Sequence, residues 1–286
     1  MIICSSISGI NMHIQTGPIG IFDSGYGGLT IFKEITAQLP QYDYIYLGDN
    51  ARAPYGIRSF EVIYKYTLEC VERLFAMGCP LVILACNTAS AKALRSIQQN
   101  DLVRYSPQHR VLGVIRPTAE VIGQYSKTRK VGILATTGTV QSRSYLLEIH
   151  HFFPDIQVFQ EACPMWVPLI ENNEFNGPGA DYFVKKNINQ LLAQSPDIDI
   201  IVLGCTHYPL MMAKIRQYTP SHIRLLAQGE IVADSLVDYL QRHPEMENWC
   251  QKNGSRTFFT TESEKDGSDK VSLFYGETAV VRHLDL

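Results

Sequence analysis

One local pattern occurs twice in this chain. Leu81-Val82-Ile83-Leu84-Ala85-Cys86-Asn87-Thr88 is an apolar run, a small residue, a cysteine and short polar residues, and Ile200-Ile201-Val202-Leu203-Gly204-Cys205-Thr206-His207 repeats the plan. A β-branched apolar run closed by small polar residues reads as a strand buried on both faces of a parallel sheet. Two further runs end in hydroxyl or acid turns, IGIFDSG from Ile19 and VGILATTG from Val131. The order is acid and hydroxyl turn, cysteine turn, hydroxyl turn, cysteine turn. This reads as two half-molecules of related architecture. Each half supplies one hydroxyl-rich turn and one cysteine turn.

The rest of the chain fits that frame. Strand signals at Ile19–Phe22, Tyr44–Leu47, Leu81–Ala85, Val111–Ile115, Val131–Ala135, Ile156–Gln160 and Ile200–Leu203 alternate with helical stretches. Those stretches are Leu29–Gln38, Phe60–Met77, Ala89–Gln99, Thr118–Tyr125, Gln141–His150, Ala180–Gln194 and Leu210–Tyr218. Such βα alternation predicts an α/β fold with mostly parallel sheets and right-handed crossovers. The expected organisation is a first domain of residues 18–113 and a second of 114–224. The segment 225–286 returns to the first, with a helix at Ile231–Leu240 and a strand at Thr257–Thr261. Glu262–Lys270 is charged, carries a glycine and lacks aliphatic residues, so it reads as a surface loop. Residues 1–17 read as an extension, with Met12 an alternative start.

Composition removes several classes of function. A formal net charge of −3 offers no basic field for nucleic acid. No apolar stretch approaches the roughly 20 residues that span a bilayer, and the N-terminus lacks the basic and apolar regions of a signal peptide. The 7 cysteines are odd in number and none is spaced C-x-x-C, which supports neither a disulfide framework nor a zinc site. A reducing, cytoplasmic compartment is expected, and it keeps Cys86 and Cys205 as free thiols.

In α/β folds ligands sit at the carboxyl ends of strands, which is where Cys86 and Cys205 fall. Each precedes a helix start, where free backbone N–H groups and the helix dipole favour a thiolate. From a free-thiol pKa near 8.5, a lowering of about one unit makes a useful base near neutral pH. Two matched thiols suit a reaction that moves a proton from one face of a carbon to the other. Two inert small hydrophobes at strand ends are the plainer alternative.

Asp23-Ser24-Gly25-Tyr26-Gly27-Gly28 permits close backbone approach to a ligand, with a carboxylate beside it. Its G-x-G-G spacing fits a cradle for a small carboxylate better than a dinucleotide site, and an ordinary capped turn is compatible with either. His207 is near enough to Cys205 to tune the thiol or bind a substrate carboxylate. Asn87 and Thr88 are short donors beside Cys86. Ala53-Pro54-Tyr55-Gly56 is a turn carrying an aromatic hydroxyl. Asp49 and Glu171 each follow an apolar run, and spacing favours a structural role for both.

Taken together, FDSGYGGLT from Phe22, YLGDNARAPYG from Tyr46, ACNTAS from Ala85, ATTGTVQS from Ala135, ACPMWVPLIE from Ala162 and GCTHYPL from Gly204 resemble the glutamate racemases of the aspartate/glutamate racemase superfamily. The likeness runs from about Ile19 to Leu210 in the family's motif order. It implies cofactor-independent interconversion of L- and D-glutamate, supplying D-glutamate for peptidoglycan. It also implies two similar parallel-sheet α/β domains related by a pseudo-two-fold axis, an active site in the cleft between them, and commonly a homodimer. Neither metal nor cofactor is implied. By motif, Cys86 and Cys205 match the catalytic thiols, with Asp23 and His207 auxiliary and Asp49 and Glu171 further family acids. Substrate contacts are implied at Asp23, Ser24, Tyr55, Gly56, Asn87, Thr88, Thr206 and His207. Related aspartate racemases usually carry Glu in place of His207, and hydantoin racemases lack the CTHYP turn.

This chain departs from the pattern at Arg116, where an acid is frequent, and at Ala227-Gln228-Gly229. Its tail beyond Ser263 is divergent. A binding module that holds glutamate without turning it over, and a hydrolase using one Cys–His pair, are the competing readings. The hydrolase leaves the second matched cysteine unexplained.

Overall fold

The structure is a computed structural model that describes residues 16–105 and 109–286. The predicted extension, with Cys4 and Met12, lies almost wholly outside the described residues. Among the described residues, ten strands form two all-parallel sheets. They are β1 (Ile19–Asp23), β2 (Tyr44–Gly48), β3 (Leu81–Leu84), β4 (Arg110–Gly113), β5 (Lys130–Ala135), β6 (Gln157–Ala162), β7 (Ile200–Gly204), β8 (Arg224–Leu226), β9 (Arg256–Thr260) and β10 (Val281–His283). The first sheet runs β10-β9-β2-β1-β3-β4 and the second β6-β5-β7-β8. The order β2-β1-β3-β4 therefore recurs as β6-β5-β7-β8. The repeat read from the turns is a repeat of strand order, with each cysteine after the third strand of its set.

Helices cover both faces of each sheet, so the central strands are buried throughout, as their unbroken apolar runs require. On one face of the first sheet, Phe32 of the helix Leu29–Gln38 packs against Tyr44, Tyr46, Phe258 and Tyr275 at ring separations of 5.3 to 5.8 Å. On the other face Leu74 and Cys79 join Phe22, Val82 and Leu84 in one cluster. In the second sheet Ile133 and Val202 face Ile122 and Ile149, while Leu134 and Ile201 face Val184 and Leu191.

Two sequence expectations need correction. The strand placed at Val111–Ile115 ends at Gly113, and Ile115 already opens a helix through Tyr125. Glu262–Lys270 is not a loop, since Glu264–Tyr275 is a helix. Ser263 caps it by accepting from the Asp266 N–H at 3.3 Å, and Glu264 and Asp266 favour its positive N-terminal end. Its apolar face, Val271, Phe274 and Tyr275, lies just past the charged stretch, and Gly276 at φ 87° ends it. No helix of the described residues is long and apolar enough to cross a membrane.

Strands β9 and β10 extend the first sheet beyond β2, and one carboxylate fixes that join. Asp43, immediately before β2, accepts from Ser255 N (2.8 Å), Ser255 Oγ (2.7 Å), Asn253 N (3.3 Å) and Asn253 Nδ2 (2.6 Å). Burial alone would raise its pKa, but these donors outweigh burial and hold it below the ordinary value. Asp43→Ala is expected to cost on the order of 3 kcal/mol in urea unfolding. Because the folded pKa is depressed, this contribution is complete above the unfolded carboxylate pKa. It is lost as pH falls through the folded value. The wild-type advantage over the variant should therefore shrink with acidification.

Candidate active site

The strand-end turns of β1, β3 and β7 converge. Asp23 closes β1 and is 1% exposed. Its Oδ2 accepts from the N–H groups of Gly25 (3.2 Å) and Gly28 (2.9 Å), which ties the glycine turn into a loop around the carboxylate. Its Oδ1 is buried without a hydrogen-bond partner, the kind of atom a bound cation satisfies. Burial raises the Asp23 pKa, against the pull of His207 and the two N–H groups.

Cys86 caps the helix Asn87–Lys92, its sulfur accepting from the Ala89 N–H at 3.4 Å and lying 3.2 Å from Ser24 Oγ. From the sequence, the helix start is expected to lower this thiol's pKa. The structure reverses the direction. Burial, with the Asp23 charge next, pushes Cys86 up to about 12, and the Ser24 and Ala89 contacts only partly offset them. Desolvation of a thiolate outweighs one short helix terminus.

Cys205 has different company. Its sulfur lies 3.8 Å from His207 Nδ1, and His207 Nε2 lies 2.5 Å from Glu171 Oε1. Burial opposes a charged ring, but Cys205 and Glu171 together hold the His207 pKa well above its ordinary value. Glu171 is correspondingly held low despite its burial, by His207 first and Lys270 after it. The Cys205 side thus holds an imidazolium–carboxylate pair, whereas the Cys86 side holds a hydroxyl and a carboxylate. The charge of Cys205 is one of the influences raising Cys86, so the two sulfurs are in electrostatic reach.

Gly27 is what lets the β1 turn touch the β7 turn. A Cβ there would collide with the His207 ring and come within 2.5 Å of Thr206 Oγ1. Thr30 Oγ1 donates to the Thr206 carbonyl at 2.9 Å across the same contact. Gly25 sits where a Cβ would be 3.6 Å from Glu171 Oε1 and 3.9 Å from Asn50 Nδ2, another buried atom lacking a partner.

Other candidates lie behind this centre. Asp49 is fully buried, accepts from Arg52 Nε (2.6 Å) and Thr261 Oγ1 (3.0 Å), and takes a short hydrogen bond from the Tyr55 hydroxyl. Asp49 and Tyr55 thus brace the loop that follows β2. Gly56 meets the second half, its carbonyl accepting from Gly138 N at 2.8 Å. Thr88 Oγ1 lies 2.9 Å from Thr136 Oγ1. The Asn87 side chain is engaged by the protein, accepting from Tyr145 (2.7 Å) and donating to Gln228 Oε1 (2.9 Å). Gln228 also donates to the Val114 carbonyl at 2.9 Å. Its amide thereby links the helix start beside Cys86 to the crossing between the sheets.

Sequence reasoning missed Asn50, Thr136, Tyr145, Lys270 and Phe274. Only Thr136 carried a signal, as the hydroxyl turn after β5 in the repeat.

A family model for Asp/Glu/Hydantoin racemases matches residues 25–236. A glutamate racemase of Roseobacter denitrificans is 40% identical over 267 residues, covering 90% of this chain and 96% of that protein. Among solved structures, a glutamate racemase of Bacillus anthracis superposes with TM-score 0.85 at 33% identity, covering 94% of this chain and 98% of the other. One from Francisella tularensis in complex with D-glutamate gives TM-score 0.81 at 29% identity, over 95% and 97%. By this likeness, which extends well beyond the paired cysteine turns, the chain belongs to the Asp/Glu/Hydantoin racemase family and, within it, to the glutamate racemases.

Proposed function

We propose that this enzyme interconverts L- and D-glutamate without a cofactor, one cysteine removing the α-proton while the other returns a proton to the opposite face. The carrying observation is the pairing of Cys86 and Cys205 at equivalent strand ends, each with its own polar partners. The hard step is removal of a weakly acidic α-hydrogen. A thiolate has to sit roughly 3–3.5 Å from the reacting centre, and the carbanion has to meet fixed donors in a cleft closed to water. Asp23 Oδ1 suits the substrate ammonium, and the start of the helix Asn87–Lys92 beside Cys86 suits a carboxylate group, whereas Cys205 is followed only by the 3-10 turn Tyr208–Met211 rather than the helix start its sequence suggested. A bound ammonium also brings positive charge beside Cys86, opposing the burial that raises its pKa. Ser24, Thr88, Thr206 and the Tyr55–Gly56 loop complete the binding groups in this reading.

By family resemblance, Cys205 acts on L-glutamate, with His207 as the counter-charge of its thiolate, and Cys86 acts on D-glutamate. The same resemblance underlies the assignment to D-glutamate supply for peptidoglycan, to the cytoplasm and to a homodimer. The domain division between residues 113 and 114, with the C-terminal segment returning to the first sheet, belongs to this reading too.

Circular dichroism of each glutamate enantiomer incubated with the purified protein tests it, with aspartate in parallel. Decay of both glutamate signals with aspartate unchanged is the expected result. Decay with aspartate alone would move the specificity, and decay with neither would move the function to ligand binding. In the same assay Gly27→Ala should lose about 100-fold in kcat/KM, because its new methyl displaces His207 from Cys205.

A further inference from the structure

The helix Glu264–Tyr275, in the part of the chain that the family motifs do not reach, touches the Cys205 side of the site at two points. Lys270 Nζ makes a short hydrogen bond to the Glu171 backbone carbonyl and lies 3.9 Å from Glu171 Oε2. One turn further along the same face, the Phe274 ring stands edge-on to the His207 ring at 5.5 Å and 83°. The helix is anchored to the first sheet, because Tyr275 OH bonds Thr36 Oγ1 at 2.8 Å and accepts from Arg256 at 2.9 Å. Glu171, by contrast, ends a helix that follows β6 of the second sheet. Lys270 therefore reaches from one half of the molecule to an acid of the other.

The Glu171 carboxylate has two sides. Oε1 faces His207 Nε2 and Oε2 faces the Lys270 ammonium. A carboxylate held between two cationic groups has one favoured orientation, and the ammonium also grips the carbonyl of the same residue. We infer that Lys270 is a positioning residue: it orients Glu171 toward His207, and through that pair it sets the protonation of the imidazole beside Cys205. This rests on the assignment of Cys205 and His207 to the racemising site.

The sign of the charge effect follows from the groups around the pair. His207 is faced by Cys205 on its own turn, by Glu171, and by Asp23 from the β1 turn. Glu171 is faced by His207 and Lys270, and its charge is felt by Tyr26 and Tyr46. Glu262 and Asp266 add negative charge near Tyr26. Loss of the Lys270 charge with Glu171 still in place would raise the proton affinity of its neighbours, but a Glu171 freed from Lys270 takes the nearest negative charge away from the His207 ring, and that 2.5 Å contact outweighs a charge that reaches the ring only through Glu171. Lys270→Met keeps the stem and loses the grip on Glu171, so the His207 titration, and the limb of the pH–rate profile that reports it, should move to lower pH. The expected loss in kcat/KM at neutral pH is about 10-fold, from looser placement of His207. Because the enantiomers have equal free energy, kcat/KM has to fall equally in the two directions. The asymmetry of a Cys205-side defect appears as unequal changes of kcat and of KM.

The test combines NMR titration of the His207 ring, assigned with His207→Gln, and racemisation kinetics in both directions for wild type, Lys270→Met and Lys270→Arg. A downward shift in Lys270→Met by both readouts, with recovery of the wild-type profile in Lys270→Arg, is the expected result. An unchanged or upward-shifted His207 titration in folded Lys270→Met would overturn the proposal, because Glu171 would then keep its place without Lys270. So would a rate loss without a pH shift that Arg does not restore, which assigns the helix a packing role only. Should wild type fail to racemise while its His207 still responds to Lys270→Met, the proposed function falls and the positioning role stands.

Discussion

Cys86→Ser and Cys205→Ser should each lower glutamate racemisation by at least about a thousandfold, in both directions. A serine hydroxyl is a much poorer proton acceptor once ionisation is counted, and loss of a positioned base or acid costs about 10²–10⁴. In the proposed two-base mechanism both directions fail together, because each cysteine is the base for one enantiomer and the acid for the other. The single variants should nevertheless differ in what they retain. With Cys205 intact, Cys86→Ser should still wash the α-hydrogen of L-glutamate into deuterated water without inverting it, and Cys205→Ser should do the same for D-glutamate. Mass spectrometry of recovered substrate reads this directly. Retained one-sided exchange also shows that the variant is folded, since Cys86 and Cys205 occupy separate turns after β3 and β7. Near-normal racemisation by either variant would remove the two-base mechanism.

Asp23→Asn should be the next most damaging change, with kcat/KM reduced about 10²–10³-fold. The asparagine oxygen can take over the N–H groups of Gly25 and Gly28 now held by Oδ2, so the glycine turn survives. What is lost is the charge beside the unpartnered Oδ1, which this account assigns to the substrate ammonium. A second readout has the opposite sign. The Asp23 charge is one of the two largest influences raising Cys86, so its removal should make the thiol easier to ionise. In ligand-free wild type, iodoacetamide labelling of Cys86 should be slow at pH 7 and rise about tenfold per pH unit, since the thiolate is the reactive form. In Asp23→Asn, labelling at any given pH should be faster although turnover is slower. Slower labelling together with slower turnover would point to a collapsed turn instead.

The parts of this site that were legible in the sequence are those whose geometry is local. A strand end fixes the direction of the next few residues, so Asp23, Cys86 and Cys205 could be placed from apolar runs and the turns closing them. His207 followed because it shares a turn with Cys205. The repeat of turn chemistry became a repeat of strand order, β2-β1-β3-β4 and β6-β5-β7-β8. Protonation was not legible. The helix start beside Cys86 is visible in the sequence, but the burial that overrides it comes from packing of distant segments. Gln228 and Lys270 were out of reach for a related reason, since each acts on a residue far away in the chain, Asn87 and Glu171. The helix bearing Lys270 was misread because its charged first turns precede the apolar residues that bury it. Tyr55 illustrates the converse: its hydroxyl stood out as a ligand contact, and it is engaged by Asp49.

The most direct test of the central claim is racemisation of L-glutamate by the wild-type protein in deuterated water, stopped at a few per cent conversion. The isotope content of both enantiomers is then measured. Two bases on opposite faces predict D-glutamate carrying one solvent deuterium at the α-carbon, while unreacted L-glutamate stays essentially unlabelled. D-glutamate that retains the original hydrogen, or L-glutamate labelled as fast as product forms, would mean that one group serves both faces and would contradict the account.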